Sequence, residues 1–159
     1  MTRRLSAHDD RTMKNPHAIL LVEDNPADVK ITQRALKESG LAVELIVVRD
    51  GREAVEYLLC QGCHDVPTWR LPNLILLDLN LPVMTGREVL EFVRATPALH
   101  IIPVIILTTS HRQEDIEQMY AAGANTYIEK PRDFVRFVDA LRTIHRYWLD
   151  LALLPPARE

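Results

Sequence analysis

Five short apolar segments recur along the chain, and longer, more polar stretches separate them. The segments are Ala18–Val22, Val43–Val48, Leu74–Leu77, Val104–Leu107 and a weaker Thr126–Ile128. The first, third and fourth segments are apolar throughout instead of alternating, which is typical of strands buried on both faces of a parallel sheet. The pattern therefore predicts five strands that need helices on both sides of the sheet.

The stretches between these segments have helical spacing and helix end signals. Gly40 ends one predicted helix and Gly123 ends another, as glycine commonly does just after the last helical residue. The last predicted helix begins after Pro131, with Asp133 near its N-terminus. The earlier helices are predicted over Pro26–Ser39, Arg52–Leu59, Arg87–Arg94 and Arg112–Ala122, and the apolar stripe of the last helix consists of Phe134, Phe137, Val138, Leu141, Ile144 and Trp148. This alternation predicts an α/β fold with a doubly wound parallel sheet of (βα)5 type.

The composition limits the chain to one ordinary globular domain. It has 159 residues, of which 47% are hydrophobic and 26% charged. We expect a flexible tail over residues 1–16, a globular domain over 17–148 and an apolar arm over 149–159. The formal net charge of −3 gives no reason to expect the basic surface that nucleic acids require. The opening residues lack the apolar core of a signal peptide, and the apolar segments are too short to cross a bilayer, so we expect a cytoplasmic protein.

Polar side chains with possible chemical roles follow four of the predicted strands. Glu23 and Asp24 come after the first strand, and Asp78 comes after the third. Thr108 follows the fourth strand and Lys130 follows the fifth. Each signal is weak by itself, because Asp24 and Asn25 could be only the N-cap of the helix that Pro26 begins, and a lone aspartate, threonine or lysine is common in turns. The carboxyl ends of parallel strands lie at one edge of a sheet, however, so these side chains should converge.

The combined set matches the needs of phosphoryl transfer, in which a protein positions groups and neutralises charge on the phosphoryl oxygens. Asp78 is then the predicted nucleophile, and Lys130 and the Thr108 hydroxyl would contact phosphoryl oxygens. Adjacent carboxylates repel each other unless a metal cation or a lysine lies between them, and the site is expected to bind Mg²⁺, for which Mn²⁺ could substitute. The predicted metal ligands are Glu23, Asp24, Asp78 and the backbone carbonyl of Asn80.

At these residues the sequence resembles the receiver domain of two-component response regulators, from about Ala18 to Trp148. The motifs Val-Glu-Asp-Asn, Leu-Leu-Asp-Leu-Asn-Leu-Pro, Thr-Thr-Ser and Lys-Pro occur in the order that the family shows. The resemblance implies a flavodoxin-like sheet with strand order 2-1-3-4-5 and phosphorylation of Asp78 by a histidine kinase. It implies no conventional enzyme activity beyond slow hydrolysis of the aspartyl phosphate. Glu23 replaces the more common aspartate, which lengthens one side chain without removing its charge.

The resemblance also implies a conformational switch. Thr108 is expected to move toward the acyl phosphate while Tyr127, on the fifth strand, rotates inward. This motion would remodel the face formed by the fourth helix, the fifth strand and the fifth helix. The family pattern places a cis peptide bond between Lys130 and Pro131, and it places Thr109 and Ser110 at the periphery of the site.

Within the family, the chain is similar to the small regulators that pair with phytochrome kinases. The similarity rests on the Leu-Leu-Asp-Leu-Asn-Leu-Pro and Thr-Thr-Ser motifs, the long Cys60–Pro72 connection and the Tyr147-Trp148 ending. Too few residues follow the last predicted helix for a DNA-binding helix-turn-helix. Output is therefore expected to pass through protein contacts or through onward transfer of the phosphoryl group.

The end of the chain is apolar, and the inward stripe of the last predicted helix already ends near Trp148, so Leu149, Leu151, Leu153 and Leu154 have no obvious place on their own sheet. The relevant residues are Tyr147, Trp148, Leu149, Leu151, Leu153 and Leu154. We expect this arm to cross to a second copy of the chain and form a homodimer, because four buried leucines could contribute roughly 6 to 12 kcal/mol gross per chain. The alternative is that the arm folds back over the same monomer.

Three other classes of protein deserve comparison. A dehalogenase-type phosphatase also uses an aspartate at a strand end with Mg²⁺, but it needs a second aspartate where this chain has Asn80. A flavin-binding electron carrier of similar topology would meet the charges of Glu23 and Asp24 where its phosphate should bind. A receiver-like scaffold with an inert site is the third alternative, and it requires the complete acidic set to be accidental.

Overall fold

The computed structural model describes residues 16–60 and 69–155, so the predicted tail lies outside these ranges except for Pro16. The strands are β1 (His17–Val22), β2 (Val43–Val48), β3 (Leu74–Leu77), β4 (Val104–Thr108) and β5 (Thr126–Glu129). The helices are α1 (Pro26–Glu38), α2 (Gly51–Leu59), α3 (Gly86–Ala95), α4 (Gln113–Ala121) and α5 (Phe134–His145), followed by a π-helical turn at Arg146–Leu151. The strands are parallel in the order β2-β1-β3-β4-β5, which confirms the predicted fold. No helix in the described ranges is long and apolar enough to span a bilayer.

Successive residues of the central strands pack on opposite faces of the sheet. Leu20 and Val22 of β1 belong to a core that includes side chains of α2, α3 and α4. Ile19 and Leu21 belong to a second core, which includes side chains of α1 and α5. Every residue of β3 and β4 is buried. This two-sided burial explains why the sequences of these strands are apolar without interruption.

Helix α1 begins directly after the acidic end of β1. Asn25 is its N-cap, and the Asn25 Oδ1 atom accepts a hydrogen bond from the Ala27 amide at 2.9 Å. The N-cap alternative is therefore correct for Asn25, whereas the cap does not use the Asp24 carboxylate.

Residues 149–155 of the segment predicted as an apolar arm are only partly exposed, and residues 156–159 lie outside the described ranges. The π-helical turn continues α5, and its i to i+5 spacing extends the apolar stripe from Ile144 to Leu149. Leu149 is buried and Leu154 is partly buried, both against the core beneath α1 and α5. Leu151 is 72% exposed and Leu153 is 99% exposed. The expectation that all four leucines lack a place on their own chain is therefore wrong for Leu149 and Leu154.

Arg94, in the last turn of α3, connects the segments that lead into β4 and β5. Its Nε donates to the Gly123 carbonyl at 2.9 Å, and its Nη2 donates to Asn125 Oδ1 at 2.7 Å. Its Nη1 donates to the carbonyls of His100 at 3.0 Å and Ile102 at 2.8 Å. All four acceptors are uncharged, so the Arg94 guanidinium joins backbone segments at the amino-terminal edge of the sheet without forming an ion pair with them.

Candidate functional site

The predicted site residues meet at the carboxyl-terminal edge of the sheet. Glu23 follows β1, Asp78 follows β3, Thr108 ends β4 and Lys130 follows β5. Backbone hydrogen bonds fix these ends relative to one another: the Asp78 amide donates to the Val22 carbonyl at 3.1 Å, and the Lys130 amide donates to the Thr108 carbonyl at 2.7 Å. The parallel order of the strands therefore brings residues that are far apart in sequence onto one edge, as predicted.

The Lys130 ammonium group is the centre of the site. Its Nζ donates to Asp78 Oδ2 at 2.9 Å, to Asp28 Oδ2 at 3.0 Å and to a carboxylate oxygen of Glu23. The side chains of Lys130, Glu23 and Asp78 are only 8%, 3% and 11% exposed. The sequence analysis did not identify Asp28. Its position five residues after Glu23, in the turn that follows the acidic end of β1, is the signal that could have done so.

Burial and mutual charge shift the protonation of this cluster. Burial raises the pKa of Glu23 to about 7, helped by the nearby charge of Asp78 and opposed by Lys130. Burial acts in the same direction on Asp78, but the Lys130 charge and hydrogen bond outweigh it and hold the pKa of Asp78 below its usual value. Burial alone would lower the pKa of Lys130, but the hydrogen bonds that its ammonium group donates to Glu23 and Asp78 raise it. Asp78 is therefore ionised at neutral pH, as a nucleophile must be.

The carboxylates fit a divalent cation. Glu23, Asp24 and Asp78 each offer an oxygen atom, and these atoms lie within 4.8 Å of one another. Hard cations such as Mg²⁺ take oxygen ligands of this kind. One ammonium group cannot neutralise all the carboxylates around it, so the surplus negative charge favours a divalent ion. The Asn80 amide donates to Asp78 Oδ1 at 3.3 Å, while the role of the Asn80 carbonyl as a ligand stays a prediction.

The loop behind Asp78 is packed too closely for a side chain at Gly86. A Cβ atom at Gly86 would lie 2.2 Å from the Asp78 carbonyl oxygen, and the Gly86 amide donates to the Leu79 carbonyl at 3.1 Å. The start of α3 is thereby held against the end of β3. The same loop contains Val83, an exposed residue with a φ of 68°, which is an unfavourable backbone conformation for a β-branched side chain.

Thr108 and Tyr127 are linked through the loop after β4. The Thr108 side chain is buried, and its Oγ1 accepts a bond from the Ser110 amide at 3.5 Å. The Tyr127 hydroxyl donates to the Ser110 carbonyl at 2.9 Å, and the Ser110 hydroxyl donates to Asp115 in the first turn of α4. Thr109 is exposed and lines a cavity of about 280 Å³. Ser110 therefore links the two residues predicted to form the switch to each other and to α4.

The peptide bond between Lys130 and Pro131 is trans, since the described residues contain no cis peptide bond. The expectation of a cis bond before Pro131 is therefore wrong for this structure. Trans is the intrinsically favoured isomer of X–Pro bonds, by about 0.5–1 kcal/mol. In this structure Lys130 reaches Asp78 at 2.9 Å with the trans isomer in place.

The fold and the site together define a receiver domain. The profile of the response regulator receiver domain family matches residues 19–142. The chain belongs to this family.

Particular relatives agree with this assignment. The chain is 43% identical to the response regulator Rcp1 of Synechocystis sp. over 142 residues, which cover 89% of this chain and 95% of Rcp1. The crystal structure of the phosphorylated cyanobacterial phytochrome response regulator RcpA has 41% identity and a TM-score of 0.80, covering 89% of this chain and 99% of RcpA. The structure of the Mn²⁺-bound form of Rcp1 has 42% identity and a TM-score of 0.79, and the match covers 89% of this chain and 100% of that Rcp1 chain. The predicted resemblance to phytochrome-associated regulators is therefore confirmed.

Proposed function

We propose that Asp78 accepts a phosphoryl group from a phosphohistidine of a histidine kinase, and that Mg²⁺ is required. The observation that carries this proposal is the position of the Asp78 carboxylate, which lies 2.9 Å from the Lys130 ammonium and within 4.8 Å of oxygens of Glu23 and Asp24. A candidate nucleophile, a fixed ammonium group and candidate metal ligands therefore lie together at one corner of the sheet edge, where Asp24 is exposed and Glu23 and Asp78 are buried.

The proposed reaction forms one bond and breaks one bond. An oxygen of the ionised Asp78 carboxylate attacks phosphorus, and a P–O bond forms while the P–N bond to imidazole breaks. The electron pair of the P–N bond stays on the imidazole nitrogen. Lys130 and the Thr108 hydroxyl bind phosphoryl oxygens, which spreads and neutralises the charge that develops on them. Slow hydrolysis of the aspartyl phosphate would reset the site.

The cation would be held by Glu23, Asp24 and Asp78, together with the Asn80 carbonyl. Bound there, Mg²⁺ would screen the repulsion between the anionic donor and the anionic nucleophile. The relative Rcp1 is known in a Mn²⁺-bound form, which supports binding of a divalent ion by this chain. We propose Mg²⁺ as the physiological ion for this chain, and Mn²⁺ as a functional substitute.

Phosphorylation is proposed to change the face formed by α4, β5 and α5. The contacts that join Thr108, Ser110, Tyr127 and Asp115 support this route, because a shift of Thr108 toward the phosphoryl group would displace the loop that positions α4. The output is then a change in protein contacts in the cytoplasm. The relative RcpA is described as a phytochrome response regulator, which supports a phytochrome as the kinase partner of this chain.

A homodimer is proposed on the exposed part of the C-terminal segment. Leu151 and Leu153 project into solvent, and Tyr147 is 53% exposed. Two leucines from each of two chains could contribute about 6–12 kcal/mol gross, against an association cost of about 4–15 kcal/mol. Light scattering should show a dimer for the natural chain and a monomer for Leu151→Ser with Leu153→Ser. A monomeric natural chain would remove this part of the proposal.

The phosphoacceptor assignment is tested with a small phosphodonor such as acetyl phosphate. Intact mass should show one added phosphoryl group in the presence of Mg²⁺ and none in excess chelator. Asp78→Asn should not be labelled, whereas the control Asp139→Asn, which removes an exposed carboxylate of α5, should be labelled normally. Labelling of Asp78→Asn at the natural rate would exclude Asp78 as the acceptor.

A further inference from the structure

Asp28 contacts the Lys130 ammonium but does not belong to the acidic set that could hold a metal. Its Oδ2 accepts a hydrogen bond from Lys130 Nζ at 3.0 Å. The Asp28 side chain is 30% exposed, against 3% for Glu23 and 11% for Asp78. Asp28 lies in the first turn of α1, and together with Lys130 and Phe134 it lines the cavity of about 280 Å³ between α1 and the start of α5.

The donors of Lys130 are all occupied in this structure. An ammonium group has three N–H donors, and here they serve Glu23, Asp28 and Asp78. A phosphoryl oxygen can therefore bind Lys130 only if one carboxylate gives up its bond. Glu23 and Asp78 are deeply buried and are both candidate metal ligands. Asp28 is the most exposed of the three, so solvent can replace its lost bond at the lowest desolvation cost.

We propose that Asp28 is a positioning residue that holds the Lys130 ammonium and exchanges it for a phosphoryl oxygen when Asp78 is phosphorylated. The inference rests on the proposed function of Asp78. It adds a second route for the signal, because release of Asp28 frees the first turn of α1. Helix α1 packs on α5, where the Arg34 guanidinium lies 4.9 Å from the centre of the Phe134 ring. The phosphorylation state would therefore also reach the side of the domain that α1 and α5 form.

Beryllofluoride, a noncovalent mimic of the phosphoryl group on aspartate, provides the test at saturating Mg²⁺. In Asp28→Asn, Lys130 keeps its other two partners and no longer has to leave a carboxylate. The variant should bind beryllofluoride up to about fivefold more tightly than the natural chain, the range expected for a partly exposed ion pair. Asp28→Ala should act in the same direction, and Asp28→Glu should return the affinity toward the natural value.

Asp139→Asn is the matched control, because it removes one carboxylate whose side chain is 64% exposed on α5 and that lies near Arg142. It makes the same change in net charge and should leave the affinity unchanged. Urea unfolding of each variant without beryllofluoride establishes that it is folded. An unchanged or weaker affinity in both Asp28→Asn and Asp28→Ala would overturn the exchange.

Amide NMR gives a second measurement that does not depend on activity. On addition of beryllofluoride to the natural chain, the amide signals of the first turn of α1 should shift as Asp28 is released. In Asp28→Asn these shifts should be largely lost while those near Tyr127 remain. Full shifts in α1 in the variant would contradict the proposal for Asp28 alone. A natural chain that does not respond to beryllofluoride at all would overturn the phosphoacceptor assignment, and the inference with it.

Discussion

Two cations lie at opposite ends of the sheet, and their partners differ in kind. At the carboxyl-terminal edge, the Lys130 ammonium contacts the carboxylates of Glu23, Asp28 and Asp78. At the amino-terminal edge, the partners of Arg94 are backbone carbonyls and the side-chain oxygen of Asn125. Both cations join segments that are distant in sequence, so each has a structural role.

The difference shows what a functional site costs in stability. The Arg94 guanidinium contacts only uncharged acceptors, so no buried negative charge surrounds it. Lys130 meets more carboxylates than it can neutralise, and the remaining negative charge is stabilised only by protons or a cation. The stability contributed by the Arg94 contacts should therefore be independent of pH and divalent ions near neutrality. The stability contributed by the Lys130 cluster should depend on both.

The largest effect is expected for Lys130→Met, which keeps the apolar stem and removes the charge. The remaining carboxylates are then buried without a counterion, and the free energy of unfolding should fall by about 3–5 kcal/mol at pH 8 without divalent ions. Saturating Mg²⁺ should restore much of the loss. Urea unfolding with and without Mg²⁺ measures both quantities. A loss that Mg²⁺ does not reduce would contradict the surplus of negative charge.

A smaller loss is expected for Arg94→Met, which leaves the carbonyls of His100, Ile102 and Gly123 without their donor. Because Arg94 is partly exposed, water can reach some of these groups, and we expect a loss of about 2–3 kcal/mol. The loss should be the same at pH 6 and pH 8 and should not respond to Mg²⁺. Dependence on either condition, measured by the same urea titration, would remove the contrast between the two ends.

The sequence was sufficient to predict the fold and most of the site. The uninterrupted apolar segments showed which strands are buried on both faces, and parallel strands bring Asp78 and Lys130 to one edge whatever the loops between them do. These are consequences of chain direction and hydrophobic pattern, which are fully encoded in local sequence. The predicted bounds of β2 and β3 match those of the structure.

The features that sequence did not reveal depend on side-chain reach and on irregular backbone. An aspartate in the first turn of a helix is ordinarily a favourable charge near the helix dipole, so the position of Asp28 just after the acidic end of β1 was a weak signal, and its contact with Lys130 depends on side-chain reach. The burial of Leu149 depends on the π-helical turn, which shifts the apolar stripe from helical spacing to a spacing of five residues. The isomer of the Lys130–Pro131 bond depends on tertiary context.

Glu23→Gln should stabilise the metal-free protein, which is the opposite sign from the two preceding substitutions. The amide keeps the shape and can still accept a bond from Lys130, but it removes one buried charge that repels Asp78. We expect a gain of about 1–2 kcal/mol at pH 8 and little gain at pH 5, where Glu23 is already protonated. Urea unfolding at the two pH values is the measurement. A loss of stability at pH 8 would mean that the Glu23 charge is fully compensated by Lys130.

The smallest effect is the pH dependence of metal binding, and it follows from the raised pKa of Glu23. Its pKa in the folded protein is about 7, against 4.5 for an ordinary glutamate. The folded, metal-free chain therefore holds a proton that the unfolded chain has lost, so the stability from this group is present below pH 4.5 and is lost as the pH rises toward 7. A metal ion must displace that proton, so Mn²⁺ affinity should fall by up to about tenfold per pH unit below pH 7 and level off above it.

Tryptophan fluorescence or calorimetric titration with Mn²⁺ between pH 5.5 and 8, roughly the range that brackets a pKa near 7, provides the curve. Arg94→Met should give the same curve as the natural chain, whereas Glu23→Gln should bind Mn²⁺ more weakly and with a flat profile. A steep profile in Glu23→Gln would assign the competing proton to another carboxylate of the cluster.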